Sequence, residues 1–77
     1  MSLKNKVTDI FLNEKPSLTI ESEDDYNTKF RDLGIDSLDL MIAMLKVGEA
    51  FSIELDEKSL ENIATLNDLI NFVESNT

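Results

Sequence analysis

The sequence contains neither cysteine nor histidine. Without cysteine, the chain can form no disulfide and no thiolate metal site. Without histidine, it lacks the usual general base, the base of Ser-His and Cys-His nucleophile pairs, and the commonest protein ligand of zinc. The acidic stretches also lack the alternating oxygen ligands, the mid-loop glycine and the closing glutamate of a calcium loop. We therefore predict a protein that is not an enzyme and has no specific metal site.

Long apolar runs are missing as well. The longest covers residues 40–45, which is six residues, whereas a membrane-spanning helix needs about 20. Near the start of the chain, Asp9 interrupts the apolar residues that follow Lys4 and Lys6, so no export signal is visible. We expect a cytoplasmic protein that does not insert into membranes.

Basic residues are few compared with acidic ones. Sixteen acidic and seven basic residues give a net charge of -9. Such a surface repels nucleic-acid phosphates and anionic membranes, and it attracts proteins with basic patches. Ordinary solvation of a monomer explains the same charge. The 77 residues suffice for one small domain, residues 1–77, near the lower limit for a core without reinforcement.

The apolar pattern predicts three main helices. Apolar side chains recur at helical spacing in residues 3–13, and Pro16 prevents that helix from continuing. A second helix is predicted over Ser37–Phe51, and a third follows Thr65, which begins a Thr-x-x-Asp cap. The apolar positions that define the first and third helices are Leu3, Val7, Ile10 and Phe11, and Leu66, Leu69, Ile70 and Val73.

The connections between these helices differ in length. Residues 16–36 show no clear period, so we expect a long first loop that Phe30 and Leu33 anchor to the core. Later in the chain, Asp56 is predicted to cap a short helix that runs to about Ile63. The sequence predicts an all-α fold: a small four-helix bundle of three main helices and one short helix, with a long first loop.

The second helix carries two apolar stripes. One consists of Leu38, Met41 and Leu45, and the other of Leu40, Met44, Val47 and Phe51. Together they cover more than half of the helix circumference, which predicts a central helix packed on more than one side. Gly48 costs about 1 kcal/mol relative to alanine inside a helix. It either permits a close helix contact or marks a weak last turn.

One serine, Ser37, lies where an acidic loop becomes the second helix. A phosphodiester on this serine would lie beside free backbone N–H groups and the positive end of the helix dipole. Gly34 can supply the unusual backbone angles of the loop, and Asp36 is a candidate N-cap. The negative charges of Asp36 and Asp39 hinder ionisation of the hydroxyl but can hold a basic modifying enzyme. An N-cap role for Ser37 itself is the alternative.

The segment around Ser37 resembles the attachment motif of acyl carrier proteins. The motif reads Asp32-Leu33-Gly34-Ile35-Asp36-Ser37-Leu38-Asp39, and the resemblance extends from the first helix to Val73. It implies a 4′-phosphopantetheine arm, derived from coenzyme A and attached to Ser37 by a phosphopantetheinyl transferase. It also implies a shuttle that holds acyl groups as thioesters on this arm and serves acyl-processing enzymes, in a fatty-acid or a specialised acyl or polyketide-type pathway.

The resemblance further implies a docking surface for basic patches on partner enzymes. The matching positions are Asp36, Leu38, Asp39, Ile42 and Glu49, although capping and solvation explain them too. Members that serve fatty-acid synthesis usually carry glutamate in place of Ile42 and an acidic residue in place of Gly48, and Lys46 adds a positive charge. Ile42 is either an exposed apolar anchor or buried against the first loop. These departures favour a specialised pathway.

An acyl-chain pocket is the last implication of the resemblance. Its lining would be Leu40, Met44, Val47, Leu55, Ile63 and Leu66, and a plain hydrophobic core explains the same residues. Two other functions stay open. One is an acidic helical interaction module that carries no cofactor, and the other is a carrier of aminoacyl or peptidyl groups.

Overall fold

The computed structural model describes residues 2–77, which form five α-helices and one 3-10 turn without a β-strand. The helices are α1 (Leu3–Glu14), α2 (Glu23–Asn27), α3 (Ser37–Phe51), α4 (Glu57–Leu60) and α5 (Leu66–Asn76), and the 3-10 turn covers Phe30–Leu33. The three long helices α1, α3 and α5 are the three that the sequence predicts, so the all-α prediction is confirmed. Within residues 2–77, no helix is both long enough and apolar enough to cross a membrane.

Side-chain caps start four of the helices. In each, an oxygen of the N-cap side chain accepts a hydrogen bond from the backbone N–H three residues later, which satisfies a donor that has no partner in the helix. The N-caps are Ser2, Asp36, Asp56 and Thr65, with distances of 3.1, 2.8, 2.8 and 3.1 Å. At α5 a second, reciprocal hydrogen bond supports the cap, because the Asp68 carboxylate accepts from the N–H of Thr65 at 3.2 Å. The caps predicted at Asp36, Asp56 and Thr65 are confirmed.

The first loop is more ordered than the sequence suggested. It contains α2, which polar contacts hold against α1. The hydroxyls of Thr8 and Tyr26 share a hydrogen bond of 2.8 Å. Lys4 Nζ lies 2.6 Å from a Glu23 carboxylate oxygen and 4.2 Å from the centroid of the Tyr26 ring. A helix of five residues is too short to show a 3.6-residue period, and therefore the sequence pattern missed it.

The short fourth helix ends earlier than predicted. It stops at Leu60, not near Ile63. The N–H groups of Asn62 and Ile63 donate to the carbonyls three residues before them, at 3.3 and 3.1 Å. These i→i+3 bonds tighten the chain into a turn and end the α-helix. As a result, Ile63 lies in the core with 7% of its surface exposed.

The core lies between the three long helices and includes the first loop. Val7, Val47 and Leu66 have no exposed surface. Phe30 stacks on Phe11 with ring centroids 5.5 Å apart and ring planes at 6°. Its backbone N–H also donates to the carbonyl of Ala64 at 3.0 Å. Phe30 therefore anchors the end of the first loop to the core, as the sequence predicts.

One face of α3 contradicts the prediction of a helix packed on more than one side. Met44 and Val47 are buried, but the stripe of Leu38, Met41 and Leu45 is 65, 58 and 64% exposed. Helical spacing identifies residues that share a face, but it does not tell whether another element covers that face. In this fold the stripe of Leu38, Met41 and Leu45 lies on the protein surface.

Candidate functional site

Ser37 is the first residue of α3 and is exposed. The residue before it, Asp36, has extended backbone angles and caps the helix by accepting from the N–H of Asp39 at 2.8 Å. The interpretation of Ser37 as an N-cap is therefore wrong, because Asp36 occupies that position. The Ser37 hydroxyl lies where another protein can reach it.

The 3-10 turn and Gly34 bring the chain to this serine. Gly34 ends the turn with φ 89° and ψ 16°, a left-handed conformation that glycine adopts at little cost. Its N–H donates to the Arg31 carbonyl at 3.2 Å, and the N–H of Ile35 donates to the Phe30 carbonyl at 3.1 Å. Ile35 is 5% exposed and belongs to the core. The chain is thus fixed two residues before Ser37, and the role predicted for Gly34 is confirmed.

The N-terminus of α3 suits a phosphodiester. The N–H groups of Ser37 and Leu38 have no partner inside the helix, because the first intrahelical bond is the one from Leu40 to the Asp36 carbonyl at 3.0 Å. These two N–H groups and the dipole of a 15-residue helix favour a negative group at this end. The residues present therefore fit a phosphate linked to the Ser37 oxygen.

Two ion pairs join α1 to α3 beside this site. Lys15 Nζ lies 3.2 Å from Asp39 Oδ2, and both side chains are about one third exposed, at 31 and 30%. Lys46 Nζ lies 2.7 Å from Glu14 Oε2. Glu14, the last residue of α1, and Lys15, which follows it, thus pair with a base and an acid of α3. Asp39 is consequently engaged within the protein, although its position matches a docking position.

The other predicted docking residues differ in exposure. Asp36, Leu38 and Glu49 are exposed, and Ile42 is half-buried, between the two alternatives considered for it. Met41 and Leu45 lie on the same exposed face as Leu38, although no docking role was predicted for them from the sequence. The helical spacing of Leu38, Met41 and Leu45 did show that the three residues form one apolar stripe, but we interpreted that stripe as a face on which another helix packs.

Comparisons with known proteins decide the family. The family model for the phosphopantetheine attachment site matches residues 17–73. The chain belongs to the acyl carrier protein family. It is 35% identical over 74 residues to an acyl carrier protein of Coprothermobacter proteolyticus, covering 96% of this chain and 84% of the relative. It is 33% identical over 73 residues to one of Desulforapulum autotrophicum, covering 95% of each. It is 37% identical over 70 residues to acyl carrier protein 2, chloroplastic, of Hordeum vulgare, covering 91% of this chain and 54% of the relative.

Membership of the acyl carrier protein family settles the cofactor and the class of the protein. The prosthetic group of the family is covalently attached 4′-phosphopantetheine, and its members are carriers, not catalysts. The predictions of this cofactor and of a protein that is not an enzyme are confirmed. That Ser37 is the attachment residue stays a prediction, which its exposed position at the start of α3 supports.

The predicted pocket residues of this acyl carrier protein all belong to one packed core. Met44, Val47, Ile63 and Leu66 are buried, and Leu40 and Leu55 pack partly buried against them. Beside them lies an open hollow between the end of α3 and the segment that follows it, with Met44, Gly48 and Leu55 in its wall. In this conformation the residues form a hydrophobic core, and their role as an acyl-chain pocket stays a prediction.

Proposed function

We propose that Ser37 carries the 4′-phosphopantetheine arm and that the protein delivers acyl groups to acyl-processing enzymes. The observation that carries this proposal is the exposed Ser37 hydroxyl at the start of α3, with Asp36 and not Ser37 as the cap. When attached, the arm supplies the thiol on which acyl groups are held as thioesters. The polypeptide holds the anchored phosphate at the helix N-terminus and presents the arm to its partners.

A separate phosphopantetheinyl transferase attaches the arm. The chain has no histidine, and the neighbours of Ser37 include Asp36, whose carboxylate is used as the helix cap. A base for the Ser37 proton must therefore come from the transferase. The contribution of this chain is to expose the hydroxyl in a rigid position, since Ile35 and the Asp36 cap fix the backbone around it.

The charge of the chain supports partners with basic docking patches. The net charge of -9 accelerates encounter with basic enzymes by long-range attraction. Asp36 and Glu49 are exposed near the two ends of α3 and can contact basic residues directly. Docking by exposed charges is transient, as a carrier that visits several enzymes requires. We further propose that the chain acts as a cytoplasmic monomer and a single domain, residues 1–77.

The departures within α3 favour a specialised acyl or polyketide-type pathway over primary fatty-acid synthesis. Ile42 and Gly48 occupy positions where acidic residues are common in the family, and Lys46 pairs with Glu14. An aminoacyl or peptidyl carrier uses the same attachment chemistry and differs only in its cargo. The interaction module without a cofactor, which the sequence left open, is excluded, because the chain belongs to a family whose members carry phosphopantetheine.

Intact-mass spectrometry tests the attachment. The protein is incubated with coenzyme A and a broad-specificity phosphopantetheinyl transferase, next to Ser37→Ala and the control Ser17→Ala, an exposed serine in the turn after α1. We expect the wild type and Ser17→Ala to gain one phosphopantetheine each, and Ser37→Ala to gain none. Circular dichroism establishes that all three samples are folded. A gain in Ser37→Ala, or absence of a gain in the folded wild type, would refute attachment at Ser37.

A further inference from the structure

We propose that Lys15 allows the start of α3 to accept the phosphate of the 4′-phosphopantetheine arm, because its ion pair with Asp39 offsets a negative charge beside Ser37. Lys15 is a positioning residue that acts through Asp39, and it lies outside the attachment motif. This inference rests on the proposed attachment at Ser37 and adds the residue that keeps the modified protein stable.

Attachment at Ser37 adds a negative charge to a helix start that already contains two carboxylates. Asp36 is the N-cap of α3 and Asp39 lies in its first turn. An α-helix rises about 1.5 Å per residue, so Ser37 and Asp39 lie about 3 Å apart along the axis, well within the screening distance of about 10 Å at 0.1 M salt. The helix dipole supplies the equivalent of about half a positive charge at this end. That charge does not balance three negative groups, so a further cation is needed.

Lys15 supplies this cation from a fixed position. It is the C-cap of α1, and its Nζ lies 3.2 Å from Asp39 Oδ2, with both side chains only about one third exposed. The pair borders a narrow gap whose wall also contains three buried apolar residues, Leu18, Ile35 and Ala43. Because these neighbours exclude water from one side of the pair, salt screens it less than it screens a fully exposed pair.

A second ion pair between the same two parts of the fold provides a matched comparison. Lys46 Nζ lies 2.7 Å from Glu14 Oε2. Lys46 is nine positions after Ser37, which corresponds to about 14 Å along the helix axis and exceeds the screening distance. Both pairs join the end of α1 to α3, but only the Lys15 pair neutralises an acid in the first turn of α3. A purely structural role would make the two pairs equivalent.

Side-chain directions indicate that Lys15 acts through Asp39. Residues two positions apart on an α-helix point about 200° away from each other. Asp39 faces Lys15, and the Ser37 side chain therefore points to a different side of α3. The effect of Lys15 on the arm is thus the removal of repulsion from Asp39, and not a contact of its own with the phosphate.

Thermal unfolding of the unmodified and the phosphopantetheinylated protein at low salt tests this inference. We expect attachment to change the melting temperature of the wild type by less than about 2 °C and to lower that of Lys15→Gln by about 4 °C. Lys46→Gln, which loses the other ion pair, should respond to attachment as the wild type does. Lys15→Arg keeps the charge and should also respond as the wild type. Intact-mass spectrometry and circular dichroism establish that each sample is modified and folded.

The double variant Lys15→Gln/Asp39→Asn tests the path through Asp39. It lacks both charges, so attachment should change its melting temperature as little as that of the wild type. A drop as large as that of Lys15→Gln alone would overturn the role of Asp39. Equal responses of Lys15→Gln and the wild type, or of Lys15→Gln and Lys46→Gln, would overturn the inference as a whole. Absence of transfer to Ser37 of the folded wild type would instead refute the proposed function.

Discussion

The α-carbon of Gly48 lies against the backbone carbonyl of Ile53. A Cβ added at Gly48 would lie 2.9 Å from the Ile53 oxygen, which is closer than such atoms pack in proteins. The chain reverses here, since the N–H of Ile53 donates to the Gly48 carbonyl at 3.0 Å. The sequence allowed a close helix contact or a weak last turn at Gly48. The structure shows a close contact, but with the segment that follows α3 and not with another helix.

Gly48→Ala should therefore destabilise the protein, although alanine is ordinarily the better helix former. The collision with a backbone oxygen costs about 1–3 kcal/mol, and the helix propensity of alanine returns at most about 1 kcal/mol. We expect a net loss of about 1 kcal/mol in the free energy of unfolding, measured by urea denaturation. The control is Ala50→Gly, two residues later in α3 and exposed. Glycine should lower the free energy of unfolding there, as its lower helix propensity predicts. A gain of stability in Gly48→Ala would show that the 52–55 segment moves freely.

Ser52→Gly should stabilise the protein. Ser52 ends α3 with φ 55° and ψ 43°, a left-handed conformation that costs about 1 kcal/mol in residues with a Cβ. Glycine loses more entropy on folding, so we expect a net gain of about 0.5 kcal/mol in the free energy of unfolding. In the described part of the chain, Ser52 is the one residue other than glycine with a positive φ. Ser17→Gly, at a residue without a positive φ, is therefore the control. It should lose stability slightly.

Asp36→Ala and Ser37→Ala should separate capping from attachment. Asp36→Ala removes the cap of α3 and should lower the free energy of unfolding by about 1 kcal/mol. Ser37→Ala changes an exposed side chain and should stay within about 0.5 kcal/mol of the wild type. Thermal unfolding of the unmodified proteins measures both. Equal losses in the two variants would contradict the assignment of the cap to Asp36 alone.

Acid should weaken the start of α2. Hydrogen bonds from the N–H groups of Glu21 and Ser22, at 2.8 and 3.1 Å, lower the pKa of Asp25 below its ordinary value of 3.8. Because the pKa is lower in the folded than in the unfolded chain, Asp25 stabilises the fold above about pH 4, and this contribution is lost as the pH falls through the lower, folded value.

Melting temperatures at about pH 7 and about pH 2 test this effect. Asp25→Asn should melt below the wild type at the higher pH, and the difference should shrink in acid, where the wild-type carboxyl is protonated as well. Asp9→Asn, an exposed substitution on α1, is the control and should follow the wild type at both pH values. A difference for Asp25→Asn that does not change with pH would contradict a role for the Asp25 charge.

Much of the fold could be predicted because its causes are local. Pro16 prevents the first helix from continuing, and three other helices are capped by Asp36, Asp56 and Thr65. Each of these effects acts over three or four residues. The motif around Ser37 is also contiguous, so the family resemblance and the cofactor followed from one segment. Phe30 could be named as an anchor because a long loop without an apolar contact would fray.

The features that sequence reasoning missed depend on contacts between distant residues. The α2 helix is held by Thr8 and Lys4 of α1, which lie 18 and 19 positions before their partners Tyr26 and Glu23. In addition, a helix of five residues is too short to show a helical period in its sequence. The end of α4 at Leu60 follows from the turn that places Ile63 in the core. The one local signal at α2 is the Ser22-x-x-Asp25 cap, which has the form of the cap at Thr65 but is followed by no apolar period.

The sequence by itself determined the starts of α1, α3, α4 and α5, the position of the serine and the two apolar stripes of α3, since each depends on neighbouring residues and on helical spacing. Tertiary structure alone decided which stripe is buried and which charges stay free. Burial depends on whether another helix covers a face, and no helix covers Leu38, Met41 and Leu45 sufficiently to bury them. The availability of Asp39 likewise depends on Lys15, 24 positions away along the chain and 3.2 Å away in space.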